Sequence, residues 1–257
     1  MPLIQSIDRA LRILDLFDEY TTELKITEIS NRMNLNKSTV HALLKTLQHH
    51  NYIEQDSETG KYKLGLKLFE RGNLVVNRLD IRSIAKKYLL ELSRKTGHTI
   101  HLVILDGKEG LYIDKVEGTS AIVVYSRIGR RIPIHSSAVG KALVAFKSEH
   151  ELNKILDGYI YKQQTEKTIT SEQDFLKELS IVRERGYAID NEENEPGISC
   201  IAIPIRNHLG EVAAAISLSM PAAKLTEGQI DHMIPMIKEV GDHISSKMGY
   251  NPNLIIK

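Results

Sequence analysis

Ile29-Ser-Asn-Arg-Met-Asn-Leu-Asn-Lys37-Ser-Thr-Val-His-Ala-Leu-Leu-Lys45-Thr-Leu-Gln-His-His-Asn-Tyr-Ile53 contains no aspartate or glutamate, although acids populate the segments on both sides. A surface that is cationic only here points to an anionic partner, with nucleic acid the first candidate. Val40, Leu43, Leu44 and Leu47 recur at i, i+3, i+4, i+7, so one stripe of a helix is buried. The opposite face carries Ser38, Ala42, Lys45 and His49, with Thr39 and His41 on its flanks and Lys37 at the N-terminal end. A recognition helix meets the major groove from such positions. Thr27 is expected to cap a shorter preceding helix with Glu28 in its first turn. Asn34-Leu35-Asn36 breaks that helix, and Asn36 or Ser38 caps the next.

The residues around this pair of helices extend the pattern. Tyr52 to Gln55 and Lys61 to Leu64 are strand-like, and Asp56-Ser57-Glu58-Thr59-Gly60 suits the loop of a hairpin. Such a wing would bring Lys61 and Lys63 to the phosphate backbone or minor groove. Upstream, Ile4, Ile7, Leu11, Leu14 and Phe17 are expected to form an amphipathic first helix packed beneath the other two. A three-helix element with a hairpin also serves as a protein-interaction module. Residues 1–66 carry a slightly negative formal charge, so affinity for DNA must come from one face and from two copies of it.

With 257 residues, of which 42% are hydrophobic and 26% charged, the chain is long enough for two domains with separate cores. Net charge is +1, which makes any nucleic-acid function regional. One cysteine excludes an intrachain disulfide framework and suits a reducing compartment. The N-terminus lacks a signal-peptide pattern and no apolar run reaches the roughly 18 residues of a membrane span. A cytoplasmic protein without a membrane partner is the expectation.

Beyond the wing, Leu66, Phe69, Leu74 and Val75 read as a helix interrupted near Gly72, and Asp80 caps a second helix running to Gly97. Past Gly97 the period becomes extended. Strands are expected at 98–106, 111–116, 121–127 and 131–135, then helices at 138–146, 149–156 and 171–185. Further strands follow at 187–191, 200–207 and 211–220, with a long helix from Thr226 that Pro235 bends. An antiparallel sheet with its helices grouped apart is an α+β arrangement.

Two segments of this second half concentrate chemistry. His135-Ser136-Ser137-Ala138-Val139-Gly140-Lys141-Ala142 leads from a strand into a helix, where backbone N–H groups can hold an anion. Taken alone it reads first as a tight helix cap with close packing at Gly140, and it is not a phosphate loop. The other segment runs from Gly186 through Asp190 and Glu193 to Cys200, and on to Met220. Alternation aligns Cys200 with Ala202 and Pro204, and Ala213 with Ala215, Ser217 and Ser219. These small faces leave room for a ligand, while Ile201, Ile203, Ile216 and Leu218 fill core. Cys200 reads as a buried small hydrophobe, as a nucleophile without an assigned base, or as a metal ligand without a spacing motif.

The winged helix-turn-helix, the His135 to Ala142 turn and the Gly186-x3-Asp190-x2-Glu193-x6-Cys200-Ile201-Ala202 signature together resemble the IclR family of bacterial transcriptional regulators. The resemblance spans nearly the whole chain, with one departure: Arg206 precedes Asn207 where the family has an aromatic residue or histidine. It implies a winged helix-turn-helix domain at 1–66, with its helices at about 27–50 and its wing at about 52–64. A linker helix at 67–80 and an effector-binding domain similar to GAF and PAS sensors at 81–250 would follow, the latter with a curved antiparallel sheet. The DNA-binding residues would be Thr27, Asn36, Lys37, Ser38, Thr39, His41, Lys45, His49, Lys61 and Lys63. Effector-binding residues carried over from the family are Ser137, Ala138, Gly140, Asp190, Cys200, Ser217 and Ser219.

The expected function is that of a regulator, repressing a metabolic operon, whose operator affinity is set by a small organic or sugar acid. It would act as a homodimer or homotetramer, with no cofactor, no metal and no catalytic residue. The rival is a cytosolic enzyme that uses Cys200, with the N-terminal domain serving oligomerisation.

Overall fold

The computed structural model describes residues 3–18, 20–76, 80–119, 126–224 and 226–252. The chain divides into two compact units, Met1–Leu79 and Asp80–Lys257. In the first, α1 (Gln5–Leu14), α2 (Ile26–Met33) and α3 (Lys37–His49) are followed by β1 (Ile53–Gln55), β2 (Tyr62–Leu64) and α4 (Lys67–Val76). Val40 and Leu44 from α3 are fully buried against Ile13, Phe17, Leu24, Ile29, Met33, Ile53 and Tyr62, with Leu43 and Leu47 packed on the edge. At about 2 kcal/mol per fully buried aliphatic side chain, this cluster is the main favourable term for the unit.

Backbone chemistry sets the turns. Asn34 closes α2 in the left-handed region at φ 51°, a conformation that asparagine tolerates better than most residues. The hairpin pairs Ile53 with Leu64 and Gln55 with Tyr62, and Leu24 joins Tyr62 through a bridge that adds a short third partner to the wing. Asp56 organises the loop by accepting from the N–H groups of Glu58 and Thr59 at 3.0 and 2.7 Å.

Three expectations change in this unit. Thr27 does not cap α2: Lys25 holds the N-cap position, and its N–H donates to Glu28 at 2.7 Å, so the acid in the first turn satisfies the backbone instead. The face of α1 turned to the core carries Ile13, with Phe17 just beyond, whereas Ile4, Ile7 and Leu11 are 66%, 54% and 56% exposed. The helix has more than one apolar stripe, and only one fits over α2 and α3. Helix α4 runs unbroken through Gly72, because an isolated glycine lowers helix stability by about 1 kcal/mol without ending it.

The second unit opens with α5 (Ile81–Thr96), capped by the Asp80 carboxylate on the Arg82 N–H and closed by Gly97 at φ 71°. Strands β3 (Thr99–Asp106), β4 (Glu109–Val116) and β5 (Arg131–Pro133) follow. Then come α6 (Ala138–Val144), α7 (Glu149–Leu156), α8 (Glu172–Arg185), β6 (Ala188–Asn191), β7 (Ile198–Arg206), β8 (Val212–Pro221) and α9 (Glu227–Lys247). The expected strand at 121–127 falls mostly outside the described residues. The six strands form one curled antiparallel sheet in the order β5-β4-β3-β8-β7-β6.

The two faces of this sheet are covered differently. Ala202 and Ala215 join α6, α7 and α8 in a common core with Val103, Phe175 and Leu179. On the other face α9 comes so close that a Cβ on Gly241 would lie 2.0 Å from Ile203 Cδ1. A register shift at Leu102/Val103 lets neighbouring pairs on β4 face opposite ways. Tyr112 goes to the first face, its ring centroid 5.0 Å from that of His101, while Asp114 is held from α5 by Lys86 at 3.0 Å. Arg206, the departure from the family signature, lies over the rings of Phe146 at 4.5 Å and Tyr250 at 5.9 Å, and donates to Gly210 O.

Helix α6 is buried along its whole length and packs with almost no clearance: a Cβ on Gly140 would lie 2.3 Å from Ile134 Cα. Backbone against backbone cannot give way cheaply, so Gly140→Ala is expected to lower stability by about 1–3 kcal/mol. Urea unfolding measures this; an unchanged midpoint would show that the turn can relax.

Candidate DNA-binding face and ligand cavity

On α3, the surface opposite the Val40-Leu44 stripe is open. Asn36, Lys37, Ser38, His41, Ala42, Lys45 and His49 are exposed and Thr39 is half-buried. Lys37 and Lys45 have no ion pair among the described residues. The Asn36 side chain does not cap α3 and leaves the first-turn amides, at the positive end of the helix dipole, to other partners. Thr27 is exposed on the first turn of α2. In the wing Lys61 sits 3.4 Å from Glu23 and Lys63 3.6 Å from Glu54. Exposed pairs of this kind contribute about 0–1 kcal/mol, so a phosphate can displace either carboxylate.

In the second unit a cavity of about 740 Å³ opens on the α6 face of the sheet. Ser137 and Ala138 line it from the start of α6, Asp190 from β6, Cys200 from β7, and Ser217 and Ser219 from β8. Six of the seven residues carried over from the family therefore meet around one space. Gly140 is not among the lining residues. Its N–H is taken by the Ser137 hydroxyl at 3.1 Å, and its lack of a side chain serves the packing on Ile134.

Lys141, next to it, also points away from the cavity. It is 1% exposed, and its ammonium donates to Glu193 at 2.7 Å, Ile189 O at 2.9 Å and Glu178 at 3.4 Å. The strand-turn-helix segment thus works as a packed cap tied to α8 and β6. It is not an anion cradle built on Lys141.

Asp190 is 2% exposed, and Oδ1 accepts from the N–H groups of Glu193 at 2.7 Å and Asn194 at 3.2 Å. Burial, with the neighbouring Glu193 charge adding to it, pushes its carboxyl up to about 7. The charge that Asp190 brings to the cavity therefore changes around neutral pH, beside the carboxylates of Glu109 and Glu195 in the same lining. Cys200 bonds Ser219 at 3.0 Å, and burial pushes its thiol well above the ordinary range. A thiol held neutral in this way lacks the character of a nucleophile.

Several lining residues escape a reading by motif. Tyr112, Ser126, Arg130, His135, Tyr159, Lys162 and Glu195 also face the space. His135 Nε2 lies 3.0 Å from Lys162 O, which can only accept, so this nitrogen carries the proton; Nδ1 then takes the Tyr159 hydroxyl at 2.7 Å. His101 lies behind the wall, within 2.6 Å of the Ser126 hydroxyl. Histidine and tyrosine at core positions of apolar strands were the available signal, since buried polar side chains need partners.

Comparison with known proteins gives two family matches. The helix-turn-helix domain of IclR matches residues 6–57, and the C-terminal domain of the bacterial transcriptional regulator IclR matches residues 73–246. The HTH-type transcriptional regulator XynR of Escherichia coli K12 is 52% identical over 250 residues, spanning 97% of this chain and 99% of that protein. The regulator KdgR of the same organism is 40% identical over 248 residues, covering 96% and 94%. Among solved structures, IclR of Thermotoga maritima aligns with a TM-score of 0.65 at 37% identity, covering 96% of this chain and all of that one. The Agobacterium tumefaciens repressor BlcR aligns at 0.81 with 25% identity, covering 96% and 98%.

Asp190 makes stability depend on pH. Its folded value near 7 exceeds the ordinary 3.8, so folding takes up a proton between the two, and this group's contribution falls as pH rises from about 4 to 7. Asn in its place keeps an acceptor for both N–H groups and has no proton to lose. Asp190→Asn should gain on the wild type by up to about 1.4 kcal/mol per pH unit across that window, then stay level. Urea unfolding at pH 5 and pH 8 checks this; a constant difference would place the carboxyl at its ordinary value.

Proposed function

The chain belongs to the IclR family of bacterial transcriptional regulators, and on that premise we propose that it represses a metabolic operon under the control of a small organic or sugar acid. The observation that carries this reading is one chain holding both an open, cationic recognition helix and, in a separate unit, a cavity with polar and charged side chains in its wall. Relatives named as transcriptional repressors support the sign of regulation, among them AllR of Escherichia coli at 32% identity over 97% of this chain.

Asn36, Lys37, Ser38, Thr39, His41, Lys45 and His49 would meet the groove, with Lys61, Lys63 and Thr27 on flanking phosphates. An acid ligand is favoured by Lys108, Arg130, Arg131 and Lys162 in the cavity wall, which outnumber Glu109 and Glu195, and by an Asp190 whose carboxyl, pushed up to about 7, is about half protonated at neutral pH. Ser137, Ala138, Asp190, Cys200, Ser217 and Ser219 would contact the ligand. No catalytic role is assigned to Cys200, whose thiol is held neutral. The DNA-binding domain is taken as 1–66 and the effector-binding domain as 81–250, with 67–80 between them. A ligand changes DNA affinity only by preferring one of two arrangements of the domains, and the helices from Leu66 to Lys95 are the natural carriers of that difference.

A second copy of the chain would cover Ile4 just before α1, Ile7 and Leu11 on α1 and Phe69 on α4, all more than half exposed. Two recognition helices would then address half-sites about 34 Å or a multiple apart. A homodimer or homotetramer acting in the cytoplasm is the proposed form.

Mobility shift with the DNA upstream of the chain's own gene, at stated salt, tests DNA binding. Lys37→Ala and Lys45→Ala should each weaken it about tenfold and flatten its salt dependence by about one unit of slope. Binding indifferent to both lysines and to salt would replace the regulator by a protein-partner adaptor. Thermal shift across small carboxylates and sugar acids identifies the effector, and affinity for an acid should fall as pH rises through about 7, where Asp190 ionises. Affinity that rises across that range would remove Asp190 from contact with the acid.

A further inference from the structure

We propose that His101 is a positioning residue of the cavity: its imidazole, held as the Nδ1–H tautomer, turns the Ser217 and Ser219 hydroxyls into hydrogen-bond donors toward a ligand oxygen. The proposal deepens the reading of the cavity as an effector site.

The geometry is a ring enclosed by three serines that all line the cavity. His101, on β3, is 2% exposed. Its Nε2 lies 2.6 Å from Ser126 Oγ, and its Nδ1 lies 3.4 Å from both Ser217 Oγ and Ser219 Oγ. Burial holds the ring neutral, and Lys115, its cross-strand partner on β4, adds a like charge that opposes protonation. A neutral imidazole donates from one nitrogen and accepts at the other.

The distances select which. A separation of 2.6 Å is short for an N–H donor and ordinary for an O–H donor, so the Ser126 hydroxyl gives its proton to Nε2. The ring proton must then sit on Nδ1. Two equal, longer contacts suit one N–H shared between two oxygens. Ser217 and Ser219 therefore accept from the ring, and their own protons are directed elsewhere. For Ser219 the alternatives are Cys200 Sγ at 3.0 Å, a weak acceptor, and the cavity. For Ser217, among the described residues, the cavity is the remaining outlet.

This part of the wall thus offers donors where a carboxylate or carbonyl oxygen would lie, and it rejects an ammonium group. His101 touches no ligand in this scheme. It sets the polarity of the residues that do.

The test needs no effector, so its failure is separate from failure of the regulator reading. Long-range ¹H–¹⁵N correlation of the full chain, labelled at histidine, reads the protonation of each ring nitrogen at pH 7. His101→Asn, or Ser219→Ala if that variant does not fold, identifies the His101 signal by its loss or shift. The expected result is Nδ1–H in at least about tenfold excess over Nε2–H. Ser126→Ala, which removes the donor to Nε2, should reduce that excess severalfold. A dominant Nε2–H tautomer, an imidazolium, or a tautomer ratio indifferent to Ser126→Ala would overturn the proposal.

Discussion

A charge leaves water at a cost of several kcal/mol unless the fold answers it, and the second unit answers this constraint in three ways. Asp114 is met by Lys86 and Arg82 from α5. Lys141 is met by two carboxylates and a carbonyl from three different elements. Asp190 has backbone N–H partners but, among the described residues, no cation in direct contact, and its burial shifts the balance toward the protonated form. The first two fasten helices to the sheet. The third faces the cavity and leaves its local charge adjustable.

The cavity itself follows from side-chain size. Ala202 and Ala215 lie beside Cys200, Ser217 and Ser219 on one face of β7 and β8, while isoleucine and leucine fill the other face against α9. A face of small residues cannot close the gap beneath α6, so space remains. Hydroxyls around that space need partners, and His101 supplies them for three serines at once.

Much of this was readable from the residues in order. The α3 stripe was clear because a 3.6-residue period has a single solution over four positions, and Asn34, Asp80 and Gly97 mark helix ends by local chemistry. The cavity wall was visible in part because a strand exposes its two faces at alternate residues. What escaped depends on pairing across the chain. Nothing local tells which apolar stripe of α1 meets the core. Nothing local joins His101 to Ser217 across 116 positions, or turns Lys141 toward Glu193 and away from the ligand space. Thr27 misled for a smaller reason: a capping residue by type gave way to a backbone N–H that Glu28 could reach.

The enclosure of Lys141 also has a chemical side. An amine reacts with acylating or alkylating reagents only when its nitrogen lone pair is free and a bulky electrophile can reach it. The Lys141 nitrogen is surrounded by protein and engaged by three oxygens, whereas the lysines of α3 stand in solvent. Covalent modification would therefore sort the lysines of this protein by place, reaching those of α3 long before it reached the support beneath the cavity.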